Sequence, residues 1–129
     1  MATRIFLLSS ALLWLPYGIY CWLHPSYLAE AAGVVFQSPT GSTELRAMYG
    51  GLQAALGVLA VLGALRHAWV RPALVAIAFA TTGLGSARLF GTLLDGGLSS
   101  YTTMALGFEF TSAVIALALL KHSPKNVST

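Results

Sequence analysis

Four apolar stretches, separated by short polar intervals rich in turn-forming residues, set the pattern of this chain. The first runs from Ile5 to Trp22, about 18 residues, which is near the lower limit for crossing roughly 30 Å of hydrocarbon. Pro16 predicts a kink in it, and His24-Pro25 ends it. The second begins at Thr43, read as an N-cap, and runs to Leu65; the third begins with Pro72 in its first turn and ends before the Asp95-Gly96-Gly97 stop signal. The fourth extends from Ser100 to Leu120, followed by a polar tail, Lys121 to Thr129. Between the first two spans, Ser26 to Val35 reads either as a short interfacial helix ended by Gly33 or as a plain linker before the Ser38-Pro39-Thr40-Gly41 turn. The pattern predicts an all-α integral membrane four-helix bundle, one domain over 1–129, with spans at about 5–22, 43–65, 72–94 and 100–120.

Composition narrows the class further. Hydrophobic residues make up 57% and charged residues 9%, with a mean hydropathy of +0.76. A water-soluble domain carries about 25% charged residues, so this chain has too little charged surface to live in water. The seven basic residues, Arg4, Arg46, Arg66, Arg71, Arg88, Lys121 and Lys125, are scattered singly, which argues against a nucleic-acid partner despite a net charge of +3. Cys21 is the lone cysteine and reads as a buried thiol. His24, His67 and His122 fall near opposite boundaries, so no metal site and no cofactor are expected.

Charge placement also gives an orientation. With four spans, Arg4, the Arg66 and Arg71 turn and the Lys121 and Lys125 tail fall on one side, while the intervals 25–42 and 95–99 carry no Lys or Arg. Both termini are therefore expected in the cytoplasm, and the localisation expected is a bacterial inner membrane. The start, MATRIFLLSSALLWL, also has the layout of a secretory signal, but no small-x-small cleavage site precedes Tyr17, Tyr20 and Trp22, so a retained span is expected.

That topology brings polar residues of three spans to similar depths. Measured from the far end of each span, Arg46 lies roughly 5 Å in, Tyr49 roughly 9 Å, Gln53 roughly 15 Å, Arg88 roughly 10 Å and Glu109 roughly 13 Å. Ionised groups at such depths cost about 2.5 to 3.5 kcal/mol each near a helix centre, so they are expected to face one another or a wet cavity. Arg46, Tyr49 and Gln53 share one helix face at i, i+3 and i+7. Glu109 is expected to pair with Arg46, Arg88 or both, whereas Glu44 points elsewhere and Asp95, before two glycines at the water boundary, reads more as a turn residue than as a catalytic one. Ala47, Gly51 and Ala55, then Gly83, Ala87 and Gly91, and Ser112 with Ala116, form small-residue stripes suited to close helix packing. Gly50 and Gly57 are read as leaving room for a ligand.

The strings ELRAMYGGLQAALG (44–57) and GSARLFGTLLDGG (85–97), with Glu109 in the last span, resemble a bacterial family of small four-span membrane proteins of unknown activity. Its pattern is E-x-R-x-x-Y-G-G, then G-R-x-x-G-x-x-x-D-G, then a Glu. The matching positions are Glu44, Arg46, Tyr49, Gly50, Gly51, Arg88, Gly91, Asp95, Gly96 and Glu109, although Ser86 and Ala87 separate Gly85 from Arg88. The family is similar in size and hydropathy to DoxX-like four-helix proteins. The resemblance implies an architecture and a shared polar cluster, not an activity.

Two functional readings are open. In one, Glu44, Arg46, Tyr49, Gln53, Arg88, Asp95 and Glu109 line a pocket in the outer half of the bilayer for a lipid-like or quinone-like amphiphile. Arg46 and Arg88 would hold its head group, Glu109 would pair with them or accept a proton, and Tyr49 would donate a hydrogen bond. In the other, the chain is an accessory or assembly subunit of a larger membrane complex, or a homo-oligomer, and the charges only fix helix register. Neither reading decides whether a reaction is catalysed.

Overall fold

In the computed structural model, residues 1–122 are described, and among them all regular structure is helical. Helix α1 spans Ala2–Leu23, the short α2 spans Tyr27–Ala32, α3 spans Pro39–Leu65, α4 spans His67–Asp95 and α5 spans Ser100–His122. The four long helices are each long and apolar enough to cross a membrane. The expected polar tail beyond His122, with Lys125, lies outside the described residues.

Two helix starts lie ahead of those read in the sequence. Helix α3 starts at Pro39 rather than Thr43, because the Ser38 side chain accepts the Gly41 N–H at 3.1 Å and Pro39 occupies the first helical position. The Thr43 hydroxyl instead donates to the Pro39 carbonyl inside the helix, at 3.0 Å. Helix α4 starts at His67, which places Pro72 inside it rather than in its first turn. At 27 and 29 residues, α3 and α4 are roughly 40 Å long or more, beyond the hydrocarbon thickness, so their far ends reach headgroup depth. Glycines close two helices as expected: Gly33 (φ 69°) ends α2 and Gly96 (φ 68°) ends α4, in the left-handed conformation that costs glycine little.

The helices alternate in direction. The start of α1 (Leu7, Ala11), the end of α3 (Ala60, Ala64), the start of α4 (Ala73, Leu74, Ile77, Ala78) and the end of α5 (Ala116) form one buried cluster. Small side chains dominate it, which draws the backbones together at the end of the bundle that carries Met1 and His122. Hydroxyls in the apolar helices are satisfied locally: Ser10 donates to Phe6 O at 2.9 Å and Thr81 to Ile77 O at 2.7 Å.

Helix α1 packs along α3, α3 along α4, and α4 along α5. The α1–α3 seam is a backbone-to-backbone contact, since a Cβ on Gly18 would lie 2.4 Å from Ala54 N and one on Gly57 would lie 2.6 Å from Leu15 N. Gly50 meets Trp22 in the same way, at 2.7 Å from its Cα. Gly50 and Gly57 therefore admit α1 and leave no room for a ligand, contrary to expectation. The stripe of Gly83 and Gly91 is not packed either, because nothing lies within 4 Å of a Cβ at those positions. Ser112 and Ala116 are buried, as a packing stripe requires.

Within α3, Arg46–Gly51 forms a π-helical turn in which the Leu52 N–H reaches the Ala47 carbonyl. The added residue rotates the first turns of α3 by about 100° relative to the helix beyond Leu52. Arg46 thereby leaves the Gln53 face and turns to the end of α1, while Tyr49, inside the π turn, still reaches the cavity side.

Candidate functional site

Away from the alanine-rich end, the bundle opens. Helices α1 and α5 meet there through side chains: the Trp14 and Phe108 rings pack with centroids 5.6 Å apart, and the Tyr17 and Tyr101 hydroxyls share a hydrogen bond at 3.2 Å. Large aromatics hold these helices apart, where alanines close the other end. Between all four long helices lies a cavity of about 760 Å³, within the range of small-molecule sites. Tyr27 of α2 also lines it, so the short helix is formed and lies at the mouth.

The floor of polar chemistry is an ion pair. Arg88 of α4 and Glu109 of α5 bond through both carboxylate oxygens: Arg88 Nε donates to Oε1 at 3.1 Å and to Oε2 at 3.0 Å, and Nη2 donates to Oε1 at 2.8 Å. Such a two-point arrangement fixes both side chains. Gly85 lies beside it: a Cβ there would stand 3.4 Å from Glu109 Cβ, so α4 and α5 run close together at this level. The Glu109 side chain is only 4% exposed while that of Arg88 is 25% exposed. The carboxylate is thus sealed, and the guanidinium faces the cavity with its remaining N–H groups. Its Cζ lies over the Tyr101 ring, 5.7 Å from the centroid.

Tyr49 and Gln53 also line the cavity, and among the described residues neither side chain has a protein hydrogen-bond partner. The Trp14 indole N–H is buried in the same wall without a protein acceptor among the described residues. The rest of the lining is apolar: Leu13, Met48, Leu52, Leu56, Phe79, Leu84 and Met104, with small residues Ala80, Gly83 and Ala105. Of these, Leu13, Met48, Leu52, Phe79 and Met104 are more than half exposed, so the cavity opens sideways at helix faces that would meet acyl chains.

The structure divides the seven candidate residues. Tyr49, Gln53, Arg88 and Glu109 come together at the cavity; Glu44, Arg46 and Asp95 do not line it. Arg46 pairs with no carboxylate among the described residues. It donates to the Trp22 carbonyl and, at 3.4 Å, to the Leu23 carbonyl, the terminal acceptors that α1 cannot satisfy itself. Glu44 is exposed on the first turns of α3, and Asp95 is exposed at the end of α4. Arg46→Leu is expected to loosen the α1 terminus at a cost of about 1 kcal/mol while leaving ligand retention unchanged. Faster amide exchange confined to residues near Leu23 would bear this out, and loss of retention at unchanged stability would refute it.

Sequence reasoning missed Trp14, Tyr17, Tyr101 and Phe108 as site residues. A signal was present in the phenol of Tyr17, between one and two turns inside the end of its span, because a Tyr hydroxyl out of water needs a partner; Tyr101, the second residue of α5, carried no such signal.

Fold and site together define a small four-span helical membrane protein with a laterally open cavity built on a buried arginine–glutamate pair. Residues 2–120 match the family described as a domain of unknown function (DUF4345), and the chain belongs to that family. No curated protein and no solved structure matches it.

Proposed function

We propose that the protein binds an amphiphilic small molecule, lipid-like or quinone-like, from within the bilayer. Its head group is held at Arg88, Tyr49 and Gln53, and its tail lies along the apolar wall and out between the helices. The observation that carries this reading is the meeting of uncommitted polar side chains with an apolar cavity whose rim is exposed. Polar groups turned into such a hollow cost free energy unless a partner satisfies them. The setting we propose is a bacterial inner membrane with both termini in the cytoplasm, supported by the one-sided distribution of Arg4, Arg66, Arg71 and Lys121.

Gly83 supplies the test. It lines the cavity, and nothing lies within 4 Å of a Cβ placed on it. Gly83→Leu therefore fills the cavity without disturbing a helix contact. Native mass spectrometry of the protein extracted with its lipids is expected to show a retained amphiphile in the parent and at least tenfold less in Gly83→Leu, at equal thermal stability. Equal retention in both would exclude the cavity as the site.

A second reading, an accessory subunit in a larger complex or homo-oligomer, draws support from Gly91 and Gly107, whose faces have nothing within 4 Å and would accept another helix. The same spectra distinguish it: a stoichiometric protein partner without bound amphiphile favours this reading.

A further inference from the structure

We infer that the head group taken by this cavity is electrically neutral and rich in acceptors, an ester, ketone or amide carbonyl, and not an anion. The inference deepens the amphiphile-binding proposal and rests on it. Its basis is how the ion pair distributes its charge and its donors.

Arg88 spends its Nε–H and one Nη2–H on Glu109, which leaves both Nη1 hydrogens and one on Nη2 for other partners. Tyr49 adds a hydroxyl and Gln53 an amide. The Glu109 oxygens already accept three hydrogen bonds and are almost wholly covered. Uncommitted donors thus exceed acceptors at the polar end, and a ligand that completes them brings acceptors.

Charge sets the second half of the specificity. Among the described residues no other Lys, Arg, Asp or Glu lines the cavity, so the ion pair leaves its polar end with no net charge. An anion reaching the free edge of Arg88 also comes close to the Glu109 carboxylate, so attraction and repulsion largely cancel. It would surrender its hydration with no net Coulombic return, which is the circumstance in which a buried charge is unfavourable. A carbonyl oxygen gives up far less solvation and still receives a hydrogen bond from a charged donor.

The test uses Trp14, which stands in the cavity wall, as the reporter, with Trp22→Phe and Trp69→Phe removing the two exposed indoles. Two brominated amphiphiles of equal chain length are titrated into the full-length protein in neutral detergent: a methyl ester, and an alkyl sulfonate that stays ionised at any working pH. The ester is expected to quench Trp14 saturably at a concentration roughly tenfold below that of the sulfonate. In Glu109→Gln, where Arg88 loses its neutralising partner, the order is expected to reverse. A sulfonate that binds the parent as tightly as the ester overturns the head-group inference and leaves the binding proposal standing. No saturable quenching by either overturns both. The parent comparison decides the matter even if Glu109→Gln does not fold.

Discussion

Arg88→Leu will destabilise the bundle by about 3 kcal/mol, because it leaves the sealed Glu109 carboxylate without its cationic partner and three hydrogen bonds. The magnitude belongs to the low end of what breaking a buried pair costs, since the cavity exposes one side of the guanidinium. Replacing both residues, Arg88→Met with Glu109→Leu, removes the charges together and is expected to recover most of that loss. Ligand retention will not recover, because the donors are gone. Stability and retention therefore separate in the double variant, whereas a cluster serving only helix register would restore both or neither. Reversible unfolding in mixed micelles, read beside native mass spectrometry for all three proteins, makes the comparison. An Arg88→Leu protein as stable as the parent would mean that the pair is solvated and that its burial does not matter.

Gly18→Val is expected to be the most disruptive apolar substitution in the chain, costing about 3 kcal/mol or more. Even the first carbon of the new side chain would stand 2.4 Å from Ala54 N and 2.8 Å from Gly50 O. Both are backbone atoms of α3, so no rotamer change relieves the clash, and α1 must move away. Tyr17 moves with it, which breaks the hydroxyl contact to Tyr101 and opens the α1–α5 side of the cavity. Loss of stability and loss of ligand retention should therefore appear together. Gly107→Ala is the control: nothing lies within 4 Å of its Cβ, and the change should be neutral or stabilising by about 0.5 kcal/mol through helix propensity. Unfolding midpoints for both variants settle the point, and a Gly18→Val protein of parental stability would contradict the α1–α3 packing described.

The candidate site is half legible in the sequence because depth is a one-dimensional quantity. Counting residues along each span places Tyr49, Gln53, Arg88 and Glu109 at comparable depths, and they do meet. Azimuth is not legible in that way. Arg46 lies at a suitable depth but on the wrong face, since one π turn ahead of Leu52 rotates it toward the end of α1. The Gly50-Gly51 pair in mid-span is the local sign of irregular helix, yet in sequence it passes equally for empty space. Glycine carries the same ambiguity throughout: Gly57 and Gly83 look alike in sequence, yet one is filled by Leu15 and the other stands open at the cavity.

From its residues alone, the chain fixes four apolar helices, their order and their approximate ends, because hydrocarbon leaves the backbone no alternative to satisfying its own hydrogen bonds. It also requires the buried charges to find partners, because an unpaired ion is too costly there. Which arginine pairs with Glu109, which glycines are filled, and where the helices part to leave a cavity depend on how faces rotate and pack against one another. Those are relations between residues far apart in the chain, and only the folded bundle decides them.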